Sequence, residues 1–168
     1  MELRLGELLI ESGVLNERQV QLILERQRRT GEPFGLLAER LFDVDPAAVE
    51  VAWARQYASL TRTVDPDVEV YDQQALRLVT RRQAWQFRVL PIRFEPNELM
   101  IATTQMHLRR ALRFAVNVIG VPVFFVMAEP EALGRALCKY YPLAGMKPTS
   151  VIDDGMSRLI GTGADRDA

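Results

Sequence analysis

RLGELLIESGVLNERQVQLILERQ, residues 4–27, is the stretch that decides how this chain folds, because most of it occurs twice. Twenty-nine residues further on, Leu5 is matched by Phe34, Gly6 by Gly35 and Leu8 by Leu37. The same shift pairs Asn16 with Asp45, Val20 with Val49, Leu24 with Trp53 and Gln27 with Gln56. Two positions break the match: Arg4 falls on Pro33, and Gly13 falls on Phe42.

Helical spacing accounts for both copies. Leu5, Leu8, Leu9 and Ser12 recur at i, i+3, i+4 and i+7, a short helix that Gly13 ends by adopting a left-handed conformation. Asn16 caps a second helix, with Gln19 completing a capping box and Val20, Ile23, Leu24 and Gln27 turned inward. Thr30-Gly31 stops it. In the second copy the inward stripe is Phe34, Leu37, Ala38 and Leu41; Asp45 then caps a fourth helix. Pro46 stands at its first position, where the missing N–H costs nothing. Val49, Ala52, Trp53 and Gln56 form its inner face. One helical hairpin has too little apolar surface to be stable alone, so residues 1–60 read as a four-helix unit.

Beyond Thr61 the pattern changes. Val68-Glu69-Val70 reads as a brief extended segment, and Asp72 as the cap of a helix running to about Gln83. Phe87–Phe94 and Glu98–Ala102 read as strands joined at Glu95-Pro96-Asn97. Thr104 caps a helix that Gly120 ends, Val121–Met127 is an apolar strand buried on both faces, and Pro130 opens a last helix. The expected fold class is α+β: a tandem helical-hairpin unit, then a small three-stranded subdomain over residues 61–142. From Pro142 onward periodicity fades, and 143–168 read as a flexible tail, with a turn of helix at Met156–Ile160.

Bulk properties narrow the function. The 168 residues are 48% hydrophobic and 26% charged, with a formal net charge of −1. That balance gives no basic footprint for a nucleic acid polymer. No apolar run approaches the ~20 residues that cross a bilayer, so no direct membrane insertion is expected. The single cysteine, Cys138, makes no intramolecular disulfide. No secretory signal is visible at the start, and a cytoplasmic setting is the default expectation.

Residues 4–27 resemble the tandem signature of the MshEN family, the N-terminal domain of type II secretion and type IV pilus assembly ATPases. Arg4-Leu5-Gly6, Leu9-Ile10, Gly13-Val14-Leu15 and Gln27 satisfy that pattern, with Val20 in place of the usual Leu. The second unit keeps Gly35 and Gln56 but departs at Pro33 and Phe42. Further on, WQFRVLPI (85–92), LMIAT (99–103) and the stretch from Ala128 to Tyr141 resemble the family's later subdomain, with Gln105-Met106 where Asp-Pro is usual. The likeness spans about residues 3–142.

The resemblance implies a non-enzymatic adaptor or regulatory module that docks on a protein component of a secretion or pilus machine. No cofactor is expected to be required. No phosphate-binding loop is present, since neither Lys139 nor Lys147 follows glycine, and the resemblance therefore implies a stand-alone chain without the ATPase. Some family members bind cyclic di-GMP along the two motifs, which makes this dinucleotide the alternative partner. The site implied is Arg4, Leu5, Gly6, Leu9, Ile10, Gly13, Val14, Leu15 and Gln27, joined by Gly35 and Gln56. Arginine forks onto phosphate or a guanine edge, and glycine lets a ligand approach the backbone. The same residues also read as architecture, with Gly6 and Gly35 as close helix contacts, Gly13 as a helix stop and the aliphatics as core.

Other residues point to no chemistry. His107 has no second ligand at metal spacing and reads as solvated or capping. Cys138 reads as a small core residue, and Trp53 and Trp85 as core anchors. Arg81, Arg82, Arg109, Arg110 and Arg113 read as solvated helix faces.

Overall fold

In a computed structural model of the chain, describing residues 4–153, the protein divides into two compact units at Leu60/Thr61. The first is built of α1 (Leu5–Glu11), α2 (Glu17–Thr30), α3 (Phe34–Phe42) and α4 (Pro46–Leu60). Within it, α1 packs on α4 and α2 on α3, so the two hairpins interlock rather than sit side by side. Leu8, Leu9, Leu15, Val20, Ile23, Leu37, Ala38, Val44 and Ala52 are buried together. Two expected stripe positions point outward instead: Ser12 is exposed, its hydroxyl donating to the Leu9 carbonyl, and Leu41 is 42% exposed.

The helix ends follow from local chemistry. Asn16 Oδ1 accepts the Gln19 N–H at 2.9 Å while Gln19 returns a bond to the Asn16 N–H. Asp45 accepts the Ala47 N–H at 2.9 Å. Gly13 has φ +74°, and the turn it makes brings Leu15 into the core, with the Val14 and Leu15 N–H groups both bonded to the Leu9 carbonyl. In the second copy the left-handed residue is Asp43 (φ +51°), one position later, so Phe42 stays helical. Aspartate tolerates that conformation better than phenylalanine, and the turn survives the loss of glycine.

The second unit holds α5 (Gln73–Leu76), α6 (Arg81–Phe87), β1 (Leu90–Phe94), β2 (Leu99–Thr103), a 3-10 turn (Gln105–His107), α7 (Leu108–Val118), β3 (Val123–Met127) and α8 (Pro130–Tyr140). A further 3-10 turn spans Pro148–Val151. The sheet order is β1-β2-β3, antiparallel then parallel, with α7 as the crossover that a parallel pair needs. All of β2 is buried, whereas β3 is buried only from Phe125 to Met127.

Three expectations need correction here. The helix expected from Asp72 to Gln83 is two helices, because Thr80 and Gln83 form their own capping box and start α6 afresh. That helix takes in Trp85–Phe87, so the first strand begins only at Leu90. Val68-Glu69-Val70 is not a strand; Val68 and Val70 are each 75% exposed, and Arg62–Val64 run beside β3 instead, with bonds from Met127 N–H to the Arg62 carbonyl and from Val64 N–H to the Met127 carbonyl.

Part of the stretch expected as tail is integral to the second unit. Arg88, 2% exposed, donates to the Trp85 carbonyl at 2.7 Å and to the carbonyls of Ser150, Val151 and Asp153 at 3.2–3.3 Å. Tyr141 is buried, its carbonyl accepting from Trp85 Nε1 and its hydroxyl donating to the Leu76 carbonyl at 2.6 Å. Burial holds that phenol well above its usual range. Pro148 lies so close to Gly134 that a Cβ there would stand 2.0 Å from the Pro148 carbonyl oxygen. The helical turn expected at Met156–Ile160 lies outside the described residues.

Gly134→Ala must therefore displace backbone, and should destabilise the protein by ~1–3 kcal/mol as overpacking does. Gly120→Ala, where a Cβ meets nothing within 4 Å, should leave the melting temperature nearly unchanged. Thermal unfolding of the two variants checks the contrast.

Candidate functional site

Close packing of helices shapes the site. Gly6 is placed so that a Cβ would lie 2.9 Å from Val20 Cγ1 and 3.2 Å from Phe34 Cζ. At the equivalent place in the second copy, a Cβ on Gly35 would lie 2.7 Å from Val49 Cγ1. Each hairpin thus closes on the same glycine–valine contact. The architectural reading of these glycines is correct for both.

Beside the first contact a cleft of about 660 Å³ opens between the start of α1, α2 and the start of α3, a size ordinary for a small-molecule site. Its apolar walls come from Leu5, Ile10, Val20, Leu24 and Phe34, and Gly6 also lines it. Arg4, Arg18, Glu7, Glu17 and Gln21 supply polar groups. Glu7 also accepts the Arg4 backbone N–H at 3.4 Å. Neither guanidinium is engaged in an ion pair among the described residues. A guanidine fork, carboxylates and a ring wall can hold a planar, anionic ligand and read its hydrogen-bond edge.

The residues expected at the site separate into groups. Arg4, Leu5, Gly6 and Ile10 line the cleft together. Leu9 and Leu15 are buried in the core, and Val14 is half-buried against it. Gly13 makes the turn and has open space around it. Gln27 donates to the Glu32 carbonyl at 3.2 Å, fastening the loop between α2 and α3. Gly35 makes the helix contact described above, and Gln56 is half-buried on α4. Neither is among the residues lining the cleft.

Sequence reading passed over Glu7, Glu17, Arg18, Gln21 and the site role of Phe34. Glu7, Glu17, Arg18 and Gln21 fill spacer positions of the motif and Phe34 takes the repeat position of Leu5, yet the helical period was there to place Glu17, Gln21 and Leu24 on one face.

A second, smaller groove of about 270 Å³ lies between α2 and α3, lined by Leu22, Glu25, Arg26, Arg29, Leu41 and Phe42. His107 Nδ1 lies 2.7 Å from the Thr104 hydroxyl, in a capping arrangement. Burial pushes the half-buried Cys138 thiol up, which disfavours the nucleophilic thiolate. Trp85 is fully buried, but Trp53 is only half-buried, its ring 5.4 Å from that of Tyr57. Arg110 lies over the Phe87 ring. No helix among the described residues is long and apolar enough to cross a membrane, and no cluster of metal-ligating side chains occurs among them.

Comparison with known proteins is consistent in direction. Residues 59–146, just over half of the chain, match the family model of the MshEN domain. The type IV pilus assembly ATPase PilB of Thermus thermophilus is 24% identical over 154 residues, which is 92% of this chain and 17% of PilB. The chain thus spans about a sixth of that relative's length. Among solved structures, one described as MshE with cdg is 25% identical, with 83% of this chain and 99% of that one covered and a TM-score of 0.47. The N-terminal domain of XpsE is 17% identical over 84% of this chain and all of that one, with a TM-score of 0.43. The family match lies almost wholly on the second unit, downstream of the tandem motif.

The two glycines of the first motif should respond differently to alanine. Gly6→Ala forces Val20 and Phe34 apart and should cost ~1–3 kcal/mol while moving the Phe34 ring resonances. Gly13→Ala should cost ~1–2 kcal/mol through its left-handed backbone alone and leave those resonances in place. Denaturation and NMR spectra of both variants provide the check.

Proposed function

The chain belongs to the MshEN domain family, and we propose that it is a non-enzymatic regulatory module that binds cyclic di-GMP in the α1–α2 cleft of its first repeat. The observation that carries this reading is the meeting of Arg4, Leu5, Gly6 and Ile10 on one cleft with an aromatic wall from Phe34. Phosphate takes the guanidinium fork, and the purine lies on the apolar side chains. Guanine carries an N–H donor edge that adenine lacks, and the carboxylates of Glu7 and Glu17 are acceptors suited to it.

Binding at a cleft made by three helices gives the ligand a mechanical consequence. A ligand that prefers one spacing of α1 and α2 shifts the population toward that spacing. The output is then a change in docking on a secretion or pilus component, the role that family resemblance suggests. A reading in which docking alone is the function is favoured by the second groove, where apolar Leu22, Leu41 and Phe42 are rimmed by Arg26 and Arg29.

Cyclic di-GMP at ~100 times its dissociation constant should stabilise the protein by ~2.7 kcal/mol through linkage. Arg4→Ala should weaken binding roughly 10- to 100-fold, the worth of a charge-assisted contact. Cyclic di-AMP should bind more weakly than cyclic di-GMP. Calorimetric titration of the whole chain reads all three. Absence of heat with cyclic di-GMP at high micromolar concentration would sink the receptor reading. If the cyclic dinucleotide is inert and Leu41→Glu abolishes capture by a purified pilus or secretion ATPase, docking alone is the function.

A further inference from the structure

A cyclic dinucleotide carries two phosphates, and the second repeat has no arginine placed to hold one. Pro33 stands at the repeat position of Arg4. The two arginines of α3 and α4 are already occupied: Arg40 pairs with Glu32 at 2.7 Å and Arg55 with Glu11 at 3.0 Å. The cleft itself holds a different solution. Arg18 lines it together with Arg4, is exposed, and forms no ion pair among the described residues. Its counterpart in the second repeat is Ala47, so Arg18 belongs to no shared feature of the two copies.

We propose that Arg18 is the second phosphate ligand of the cleft, so that one hairpin grips both charges of a single cyclic dinucleotide through Arg4 and Arg18. This rests on the receptor reading above and adds to it the residue that replaces the missing arginine. The second hairpin contributes only the Phe34 ring to the site. Both cationic contacts then come from the N-terminal hairpin, and the degeneracy at Pro33 and Phe42 does not empty the site. Arg18 lies in the first turn of α2, whose N-cap is satisfied by Asn16 and Gln19, so removal of its side chain leaves the helix start intact.

The test is calorimetric titration of the full chain and four variants with cyclic di-GMP, with circular dichroism confirming unchanged helix content. Arg18→Ala should weaken binding roughly 10- to 100-fold, comparably to Arg4→Ala, as expected for a lost charge-assisted contact. Arg18→Lys keeps the charge without the fork and should fall between Arg18→Ala and wild type. Arg40→Ala and Arg55→Ala should change affinity by no more than about 3-fold, as for exposed charges remote from a ligand. Wild-type binding that survives Arg18→Ala within about 3-fold, or that is lost in Arg40→Ala or Arg55→Ala instead, overturns the role of Arg18 and leaves the receptor reading standing. A wild-type chain that binds no cyclic di-GMP overturns both.

Discussion

The absence of a side chain at Gly6 is the constraint on which the first unit depends. A helix with any side chain there could not lie against Val20 and Phe34 as α1 does. The same contact recurs between Gly35 and Val49, so the duplication is a duplication of packing geometry before it is one of chemistry. Leu8, Leu9 and Ile23 are buried in the core of the same unit, and Gly6, Val20 and Phe34 all line the cleft. Interiors pack densely, so a cleft of this size persists only where its walls are fixed from behind. Here the walls are backed by fully buried leucine and isoleucine side chains.

The repeat shows how a chain keeps a shape while changing what that shape does. At the end of α3, Phe42 replaces the glycine that turns the first copy, and the left-handed conformation passes to Asp43. The turn is preserved, and Val44 is buried much as Leu15 is. Phe42 is then free to line the groove between α2 and α3. A position that looked like loss in the linear pattern has become part of another surface. A similar asymmetry separates four of the arginines: Arg40 and Arg55 of the second hairpin are ion-paired, whereas Arg4 and Arg18 of the first line the cleft.

What could be read from the sequence was mostly local. Asn16 with Gln19, Pro46 after Asp45, Gly13 and the α7 crossover each announce themselves within a few residues, because caps and turns are decided by neighbouring backbone groups. The break between α5 and α6 was equally local, in Thr80 and Gln83, but was hidden inside a run with a continuous helical period. The pairing of Arg62–Val64 with β3 and the bonds from Arg88 to Ser150 and Val151 join positions more than sixty residues apart. No spacing rule reports such contacts. The site was half legible for a related reason: a motif names its fixed positions, whereas a cleft is lined by whatever the spacers bring to its rim, here Glu17, Arg18 and Gln21.

Arg88 carries a consequence for where this fold ends. The family match stops at residue 146, yet the carbonyls that receive the Arg88 guanidinium lie at residues 150, 151 and 153. A boundary drawn by similarity would strip a buried cation of acceptors, and a dehydrated charge is among the costliest things a core can contain. The second unit therefore reaches at least residue 153, past the end of the family match, because one buried guanidinium takes its acceptors there.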